Sequence, residues 1–278
     1  MAVNLASKFE KKTSEALSAG RKTKLVTNQN WSWDGVNAIN VYTLTDPTMG
    51  NYDVNGGSER YGNPTEVEDT TQTFTLTRDR SWSKVMDKLN KQDTAGVRNP
   101  GKYLAQATKN VTIPEIDTYI IAAIVTAGEA ASRDDIVSDA ATTAANAYTN
   151  LLAINADISD NEAPMSGRVA LVTPAYVSYL KQSTLLSASD VSSRDKKSGV
   201  FAIIDGVKIV EVPSARFPAN TDLVITHPSV CVAPEKLVDY TLHNNPPGIS
   251  GDRLDYRHRY DAFIDTNKVN CIGIHKTA

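Results

Sequence analysis

Asp46-Pro-Thr-Met-Gly-Asn-Tyr-Asp-Val-Asn-Gly-Gly-Ser-Glu-Arg-Tyr-Gly-Asn-Pro-Thr-Glu-Val-Glu-Asp-Thr-Thr71 is a run of about 26 residues with almost nothing to bury. It joins two stretches of alternating polarity, Val36 to Thr45 and Gln72 to Arg80, which read as strands. In the second stretch Phe74, Leu76, Arg78 and Arg80 take one face, and Thr73, Thr75 and Thr77 the other. Strands in compact domains are usually joined by about two to six residues, and structureless connections above about 15 are uncommon. A two-stranded hairpin is marginal by itself in water. The loop is therefore either disordered or ordered by another molecule. We read it as an arm that lies on a neighbouring subunit, the mark of an assembly protein.

The rest of the chain suits that reading. Residues 1 to 25 form an arm with a thin apolar stripe of Val3, Leu5, Phe9 and Leu17. Its cations Lys8, Lys11, Lys12, Arg21, Lys22 and Lys24 face only Glu10 and Glu15. In the long loop Asp53, Glu59, Glu66, Glu68 and Asp69 face only Arg60. A basic arm and an acidic loop can pair between subunits, fixing register more than affinity, since an exposed pair is worth only about 0–1 kcal/mol. The candidate inter-subunit contacts are these charges, Lys11, Lys12, Arg21, Lys22, Lys24, Asp53, Glu59, Glu66, Glu68 and Asp69, with Arg78 and Arg80 on the second strand.

Residues 97 to 127 read as one long helix, with Leu104, Ala107, Val111, Ile116, Tyr119, Ile120, Ala123, Ile124 and Ala127 near helical spacing. Pro114 either kinks it or restarts it. At a rise of about 1.5 Å per residue the helix spans roughly 45 Å, the length of a strut. A second, alanine-rich helix is expected at 133 to 154, with Ser132 as its cap and Arg133-Asp134-Asp135 in its first turn. Arg168 to Thr173 reads as a buried strand, and Pro174 opens a short helix to Gln182. Residues 187 to 199 form a polar loop. Asp205-Gly206 between Val200 to Ile204 and Val207 to Val212 is a strong hairpin signal. Leu223 to Thr226 and Ser229 to Val232 are further strands, and Pro246 to Gly251 is an exposed loop. Leu254 to Asp265 and Lys268 to His275 read as a closing hairpin through Thr266-Asn267. Leu254, Tyr256, His258 and Tyr260 share one face of its first strand. Asp255, Arg257, Arg259 and Asp261 form a self-neutralising ladder on the other. The class is α+β.

Composition excludes several functions. The chain has 278 residues, ordinary apolar content of 41% and a net charge of −3, too acidic for a protein that mainly coats nucleic acid. No segment approaches the 18 or so continuous apolar residues of a transmembrane helix, and the N-terminus lacks a signal-peptide core, so a soluble protein made in the cytoplasm is expected. Cys231 and Cys271 form no framework. Gly96-Val-Arg-Asn-Pro-Gly101-Lys102 fits seven positions of a phosphate-binding loop, but Tyr103 replaces the magnesium-binding hydroxyl. His227, His243, His258 and His275 are scattered. His227 and Cys231 are a remote candidate for a catalytic pair, and Asp134-Asp135 and Glu66-Val-Glu68 for a cation site. A capping turn and a solvated loop explain the carboxylates more simply. No enzyme, cofactor or metal is expected.

The order of elements (arm, long two-stranded loop, strut helix, mixed α/β region, closing strands) resembles the major capsid protein of tailed bacteriophages, the Hong Kong 97-type fold. The local resemblance lies in Val111-Thr-Ile-Pro-Glu-Ile-Asp-Thr-Tyr119 with the alanine-rich helix after it, in Ile204-Asp-Gly-Val-Lys-Ile-Val-Glu-Val-Pro213, and in Asp261-Ala-Phe-Ile264 with Cys271-Ile-Gly-Ile274. The resemblance implies residues 1–35 as N-terminal arm and 36–80 as extended loop. It implies 81–129 and 253–278 as a peripheral domain with the spine helix, and 130–252 as an axial domain. The 187–199 and Pro246 to Gly251 loops would then reach the five-fold and six-fold axes.

The function so implied is self-assembly into hexamers and pentamers of an icosahedral shell in the virion, enclosing double-stranded DNA without sequence-specific binding and without a membrane. A portal and a possible decoration protein would be partners. Some relatives carry a scaffolding segment before the arm. Here Met1 leaves almost no room for one, so a separate scaffolding protein is expected. The 46–71 loop has no lysine, so no lysine crosslink through it is expected. The alternatives are an encapsulin-like compartment and, in another class, a soluble metabolic enzyme with a lid at 46–71. A secreted adhesin would need a signal that the sequence lacks.

Overall fold

The structure, a computed structural model, describes residues 21–28, 38–57, 60–89, 100–183 and 200–277. The chain separates into two units, a ribbon at Trp33–Thr77 and a body made of the remainder.

The body is organised around α1, Pro100–Ala130. Pro114 does not break it. A π-turn at Thr108–Thr112 precedes the proline, closed by the Ile113 N–H on the Thr108 carbonyl. Proline lacks an N–H, and its ring presses on the carbonyl four residues back. The wider turn gives that carbonyl room, and the helix continues to Ala130. Ile116, Ile120, Ile121 and Ile124 are sealed from solvent. Burying each is worth about 1.5–3 kcal/mol. By length and composition α1 could cross a membrane, but these side chains instead fill a protein core.

α1 ends where a second helix was expected to begin. Ser132, the expected N-cap, takes a left-handed φ of 54° and closes α1. Residues 133–146 are irregular, and α2 is Ala147–Asp160. Tertiary anchoring overrides alanine propensity here. Arg133 is drawn inward, its Nε donating to the Ile272 carbonyl at 3.0 Å and its guanidinium pairing with Asp157. Asp134 caps nothing and sits 3.5 Å from Lys276 Nζ.

A five-stranded sheet forms the centre of the body. β1 is Thr27–Asn28, β2 Ala38–Leu44, β3 Asp69–Thr75, β4 Asp79–Asp87 and β5 Val169–Val172, followed by α3, Pro174–Gln182. The remaining strands are β6 Val200–Ile204, β7 Val207–Glu211, β8 Thr221–Thr226, β9 Cys231–Val232, β10 Glu235–Asn244, β11 Gly251–Tyr260, β12 Phe263–Ile264 and β13 Gly273–Lys276. The sheet runs β13-β8-β5-β7-β6, with β5 and β7 parallel. Both of its faces are covered. Val169 and Leu171 join the cluster around α1, while Ala170 and Val172 join the cluster with Leu151 and Ile154 of α2 and Tyr176 of α3. A strand buried on both faces reads as an unbroken apolar run, which is how Val-Ala-Leu-Val appears in the sequence. Asp205 and Gly206, with φ of 49° and 77°, make the expected β6–β7 turn.

The expected closing hairpin does not form. β11 pairs with β10 on one side and β4 on the other, while β13 borders the five-stranded sheet beside β8. The Pro246 to Gly251 loop is therefore the β10–β11 turn. The two predicted faces hold from Leu254 to Tyr260, but Asp261, expected on the charged face, lies beyond β11 and is buried, accepting from the Tyr119 hydroxyl. Leu254, Tyr256, His258 and Tyr260 are buried, and Leu254 and Tyr256 pack with Leu104 of α1. On the open face Arg257 pairs with Asp79, and Arg253 with Asp255. A small sheet of β1, β9 and β12 ties residues 27–28 to the body.

In the ribbon, β2 and β3 pair antiparallel from Ala38↔Thr75 to Leu44↔Asp69. The strand expected to reach Arg80 stops at Thr75. Arg78 and Arg80 belong to the body, and β4 is a separate strand of the three-stranded sheet.

Candidate functional site

Side chains on a β-strand alternate between faces. On one face of the ribbon Tyr42 and Leu44 are each 66% exposed, with Asp69 and Thr71 opposite them. The other face carries Ile39, Val41 and Phe74, which are half-buried or buried. The tip is shaped by short-range bonds. The Asp53 N–H donates to the Arg60 carbonyl at 3.0 Å, and the Asn55 N–H donates to Asp53 Oδ1 at 2.9 Å. The Tyr52 and Tyr61 rings meet edge-on at 4.9 Å. Met49 and Tyr61 remain 99% and 92% exposed. Among the described residues, most of the large apolar side chains left in solvent lie on this ribbon.

The body contains two charged anchors. Asp117, fully buried on α1, accepts from the Lys22 and Thr23 amides and the Thr23 hydroxyl, and pairs with Arg216 at 2.6 Å. Beside it Arg21 is almost wholly buried and pairs with Glu235. Burial pulls the Arg21 guanidinium below its usual range, against the opposing pull of Asp117. The second anchor is Glu115, which takes Arg78 at 2.9 Å and Arg80 at 2.6 Å. Burial raises the Glu115 carboxyl, but the two arginines outweigh it and hold it low. Arg78 also stacks over the Tyr119 ring at 4.2 Å. Burial, followed by the hydrogen bond to Asp261, pushes the Tyr119 hydroxyl up to about 12.

These anchors redraw the set of candidate contact residues. Arg21 pairs with Glu235 and Arg78 with Glu115 within the chain. Arg80 shares Glu115 yet stays 58% exposed. Asp53, Glu66, Glu68 and Asp69 stand in solvent on the ribbon, and Lys24 is exposed. Lys22 contributes its backbone amide to Asp117. Lys11, Lys12, Glu59 and the phosphate-loop-like residues 96–99 lie outside the described residues, as does the 187–199 loop. Sequence reading missed Glu115, Asp117 and Glu235. The signal for Asp117 was present: an acid on the Ile113, Ile120, Ile124 stripe of an apolar helix marks a buried ion pair.

The enzymatic candidates do not converge. Cys231 is fully buried, and burial pushes its thiol up to about 12, far from a reactive thiolate. His227 Nδ1 lies 2.7 Å from the Ser229 hydroxyl. His275 is buried between Asp222, 2.6 Å from its Nδ1, and Asn150, 3.2 Å from its Nε2. Among the described residues no group of acids, histidines and cysteines is arranged to hold a metal.

No family model and no curated protein matches the chain. Solved structures do. A structure from Mycobacterium phage Che8 superposes with a TM-score of 0.68 at 18% identity, covering 91% of this chain and 89% of that one. The mature capsid of bacteriophage PhiM1 gives 0.68 at 17% identity, covering 93% and 87%. This is the Hong Kong 97-type capsid fold. A virus-like particle from Pyrococcus furiosus also matches, with a TM-score of 0.57 at 11% identity over 99% and 100% of the chains. The Hong Kong 97-type fold accounts for the order of ribbon, spine helix and sandwiched sheet.

Proposed function

We propose that this chain is a major capsid protein, a structural subunit of a phage virion and not an enzyme, which self-assembles into a closed shell. The carrying observation is the ribbon. It leaves Tyr42, Leu44, Met49 and Tyr61 in water, on a chain whose fold over nine-tenths of its length is also that of the PhiM1 mature capsid. Exposed apolar surface of this kind marks an interaction site. In the shell the ribbon lies over one neighbour and the N-terminal arm, rooted at Asp117, reaches another. Hexamers and pentamers of the subunit tile an icosahedral wall around double-stranded DNA. The near-neutral charge suits a wall that holds a polyanion without gripping it. A separate scaffolding protein, a portal and a decoration protein complete the proposed set of partners.

The sheet pairings support the following proposed domain division. The peripheral domain takes α1 with the β4-β11-β10 sheet, so Glu235–Asn244 moves into it. The axial domain takes α2, α3 and the five-stranded sheet, including Gly273–Lys276.

Electron microscopy of the purified chain, expressed with and without its neighbouring genes, tests the proposal. Closed shells tens of nanometres across, the usual size of such particles, support it, and a uniform dimer or tetramer in both preparations overturns it. A second reading, an encapsulin-like compartment, rests on the Pyrococcus furiosus match. Shells filled with one protein and no nucleic acid would favour it.

A further inference from the structure

Asn55 stands before Gly56 near the tip of the ribbon, and this is the one Asn-Gly pair in the sequence. An asparagine carboxamide and the next backbone nitrogen can close a five-membered ring. Glycine in second place lacks the Cβ that would obstruct the closure, and it leaves the peptide free to rotate. The other described asparagines of the ribbon have no such neighbour. Asn40 precedes Val41 within β2 and accepts from the Thr73 hydroxyl at 2.8 Å. Asn51 precedes the bulky Tyr52, and Asn63 precedes Pro64, whose nitrogen has no hydrogen to give up.

The local structure leaves the closure open. Asn55 is exposed, and its carboxamide makes no hydrogen bond among the described residues. Its own N–H is held by Asp53 Oδ1 at 2.9 Å, and the Gly56 N–H reaches the Asp53 carbonyl at 3.2 Å. That second bond is long and lies at the surface, where water replaces it at little cost. Gly57 follows with a left-handed φ of 60° and open space where a side chain would be, so nothing stiffens the turn from that side. Comparable groups in the body are pinned. The Asn146 carboxamide, before Ala147, accepts from the Thr143 amide at 2.7 Å and donates to the Ala141 carbonyl at 3.1 Å. Asp205, before Gly206, accepts from Asn155 Nδ2 at 2.7 Å in a turn clamped by the β6–β7 pairing.

We propose that Asn55 is a site of spontaneous covalent modification that turns a neutral amide near the ribbon tip into a carboxylate. Hydroxide from solvent takes the Gly56 N–H proton. The Gly56 nitrogen then bonds to Asn55 Cγ, the Cγ–Nδ2 bond breaks, and ammonia leaves with a proton from water. The succinimide so formed is opened by a water molecule. Cleavage at Cγ gives aspartate, and cleavage at the Asn55 main-chain carbonyl gives isoaspartate, with the chain now running through Cγ. One water is consumed and one ammonia released, and nothing is oxidised or reduced. The new carboxylate arises beside Asp53, whose side chain holds the Asn55 N–H, so like charges now meet in the turn. The described ribbon already has Asp46, Asp53, Glu66, Glu68 and Asp69 against Arg60 alone, and the product deepens that imbalance. The inference concerns the chain by itself and stands apart from the capsid reading.

Peptide mapping by mass spectrometry tests it, on the purified chain kept folded in mildly alkaline buffer over a time course. The peptide containing Asn55 is expected to gain the mass difference between OH and NH2, and ammonia to appear in equal amount. A protein isoaspartyl methyltransferase should then methylate that peptide, while the Asn146 peptide of the same digest stays unchanged. The reaction should slow in mildly acidic buffer, because the Gly56 nitrogen must lose its proton. In Gly56→Ala the added Cβ would lie 3.2 Å from Asp53 Cβ and hinder the rotation. A slowing of about tenfold is expected there, the effect of a barrier raised by about 1.4 kcal/mol. Asn55→Gln, which would need a six-membered ring, should stop the reaction. Both substitutions lie in the loop between β2 and β3, so circular dichroism of the folded chain should not change. An Asn55 peptide that stays amidated would overturn the proposal. So would conversion as fast in Gly56→Ala as in the original chain, or a product free of isoaspartate.

Discussion

The ribbon and the body solve opposite problems with similar side chains. In the body, most large apolar residues face inward and several buried charges are matched inside the chain. Ile120 and Ile124 are fully buried, and Asp117 has partners on three sides. In the ribbon, Tyr42, Leu44 and Met49 stand in solvent, and Glu66 and Glu68 make no ion pair among the described residues. The body closes upon itself, while the ribbon keeps its adhesive groups for something outside. On the proposed capsid reading, a subunit that first folds and then assembles needs both behaviours in separate segments.

The largest effect should come from removing the ribbon's tip. Deleting Asn51 to Asn63 is expected to leave soluble, folded subunits that form no shells, read by electron microscopy and circular dichroism. Normal shells from that variant would end the comparison. Next, Asp117→Ala should destabilise the body by about 3–5 kcal/mol in denaturant unfolding, because Arg216 and two amides lose their partner together. Ile120→Ala should cost about 2–5 kcal/mol by leaving a cavity.

A pH test sharpens the picture of the body. His258 is buried with both ring nitrogens lacking a hydrogen-bond partner among the described residues, and burial, then nearby Arg21, pulls it down to about 4. Glu115 acts the other way without reversing this. The neutral ring is thus favoured on folding. Its contribution is fully present above the unfolded value near pH 6.5 and is lost as pH falls toward 4, by up to about 3 kcal/mol. His258→Leu should flatten the stability curve in that window. An equally steep curve would mean that other groups set it. The smallest effect belongs to the ribbon again. Tyr42→Ser should change subunit stability by less than about 0.5 kcal/mol while lowering shell yield. A loss comparable to that of Ile120→Ala would show that the subunit itself needs the ribbon.

The local rules worked where a segment carries its own signal. Asp205-Gly206 set a hairpin, Thr173 and Pro174 opened a helix, and the two faces of Leu254 to Tyr260 followed from period two. They failed where a distant group decided. Residues 133–146 have alanine-rich composition, yet Arg133 finds Asp157 and the Ile272 carbonyl, and a helix there would forfeit both. The sequence reading assigned no strand to Glu235–Asn244, although Val238, Tyr240 and Leu242 alternate there, and so it also missed the pairing partner of β11. The candidate contact residues divided in the same way. Exposure of the ribbon's acids followed from their loop composition, but commitment of Arg21 and Arg78 to Glu235 and Glu115 depended on residues 214 and 37 positions away.

The sequence by itself determined that the chain has a long apolar helix, a buried strand at Arg168 to Thr173, and a polar ribbon too long to be an ordinary loop. These are properties of composition and period, written within a few turns or strands. Only the tertiary structure decided that Gly273–Lys276 joins the five-stranded sheet, that Asp117 holds Lys22 and Thr23 of the arm, and that the π-turn leaves Val111 in solvent. Each of those depends on which distant surfaces meet, and strand pairing and buried charge are selected by the free energy of the whole packed body.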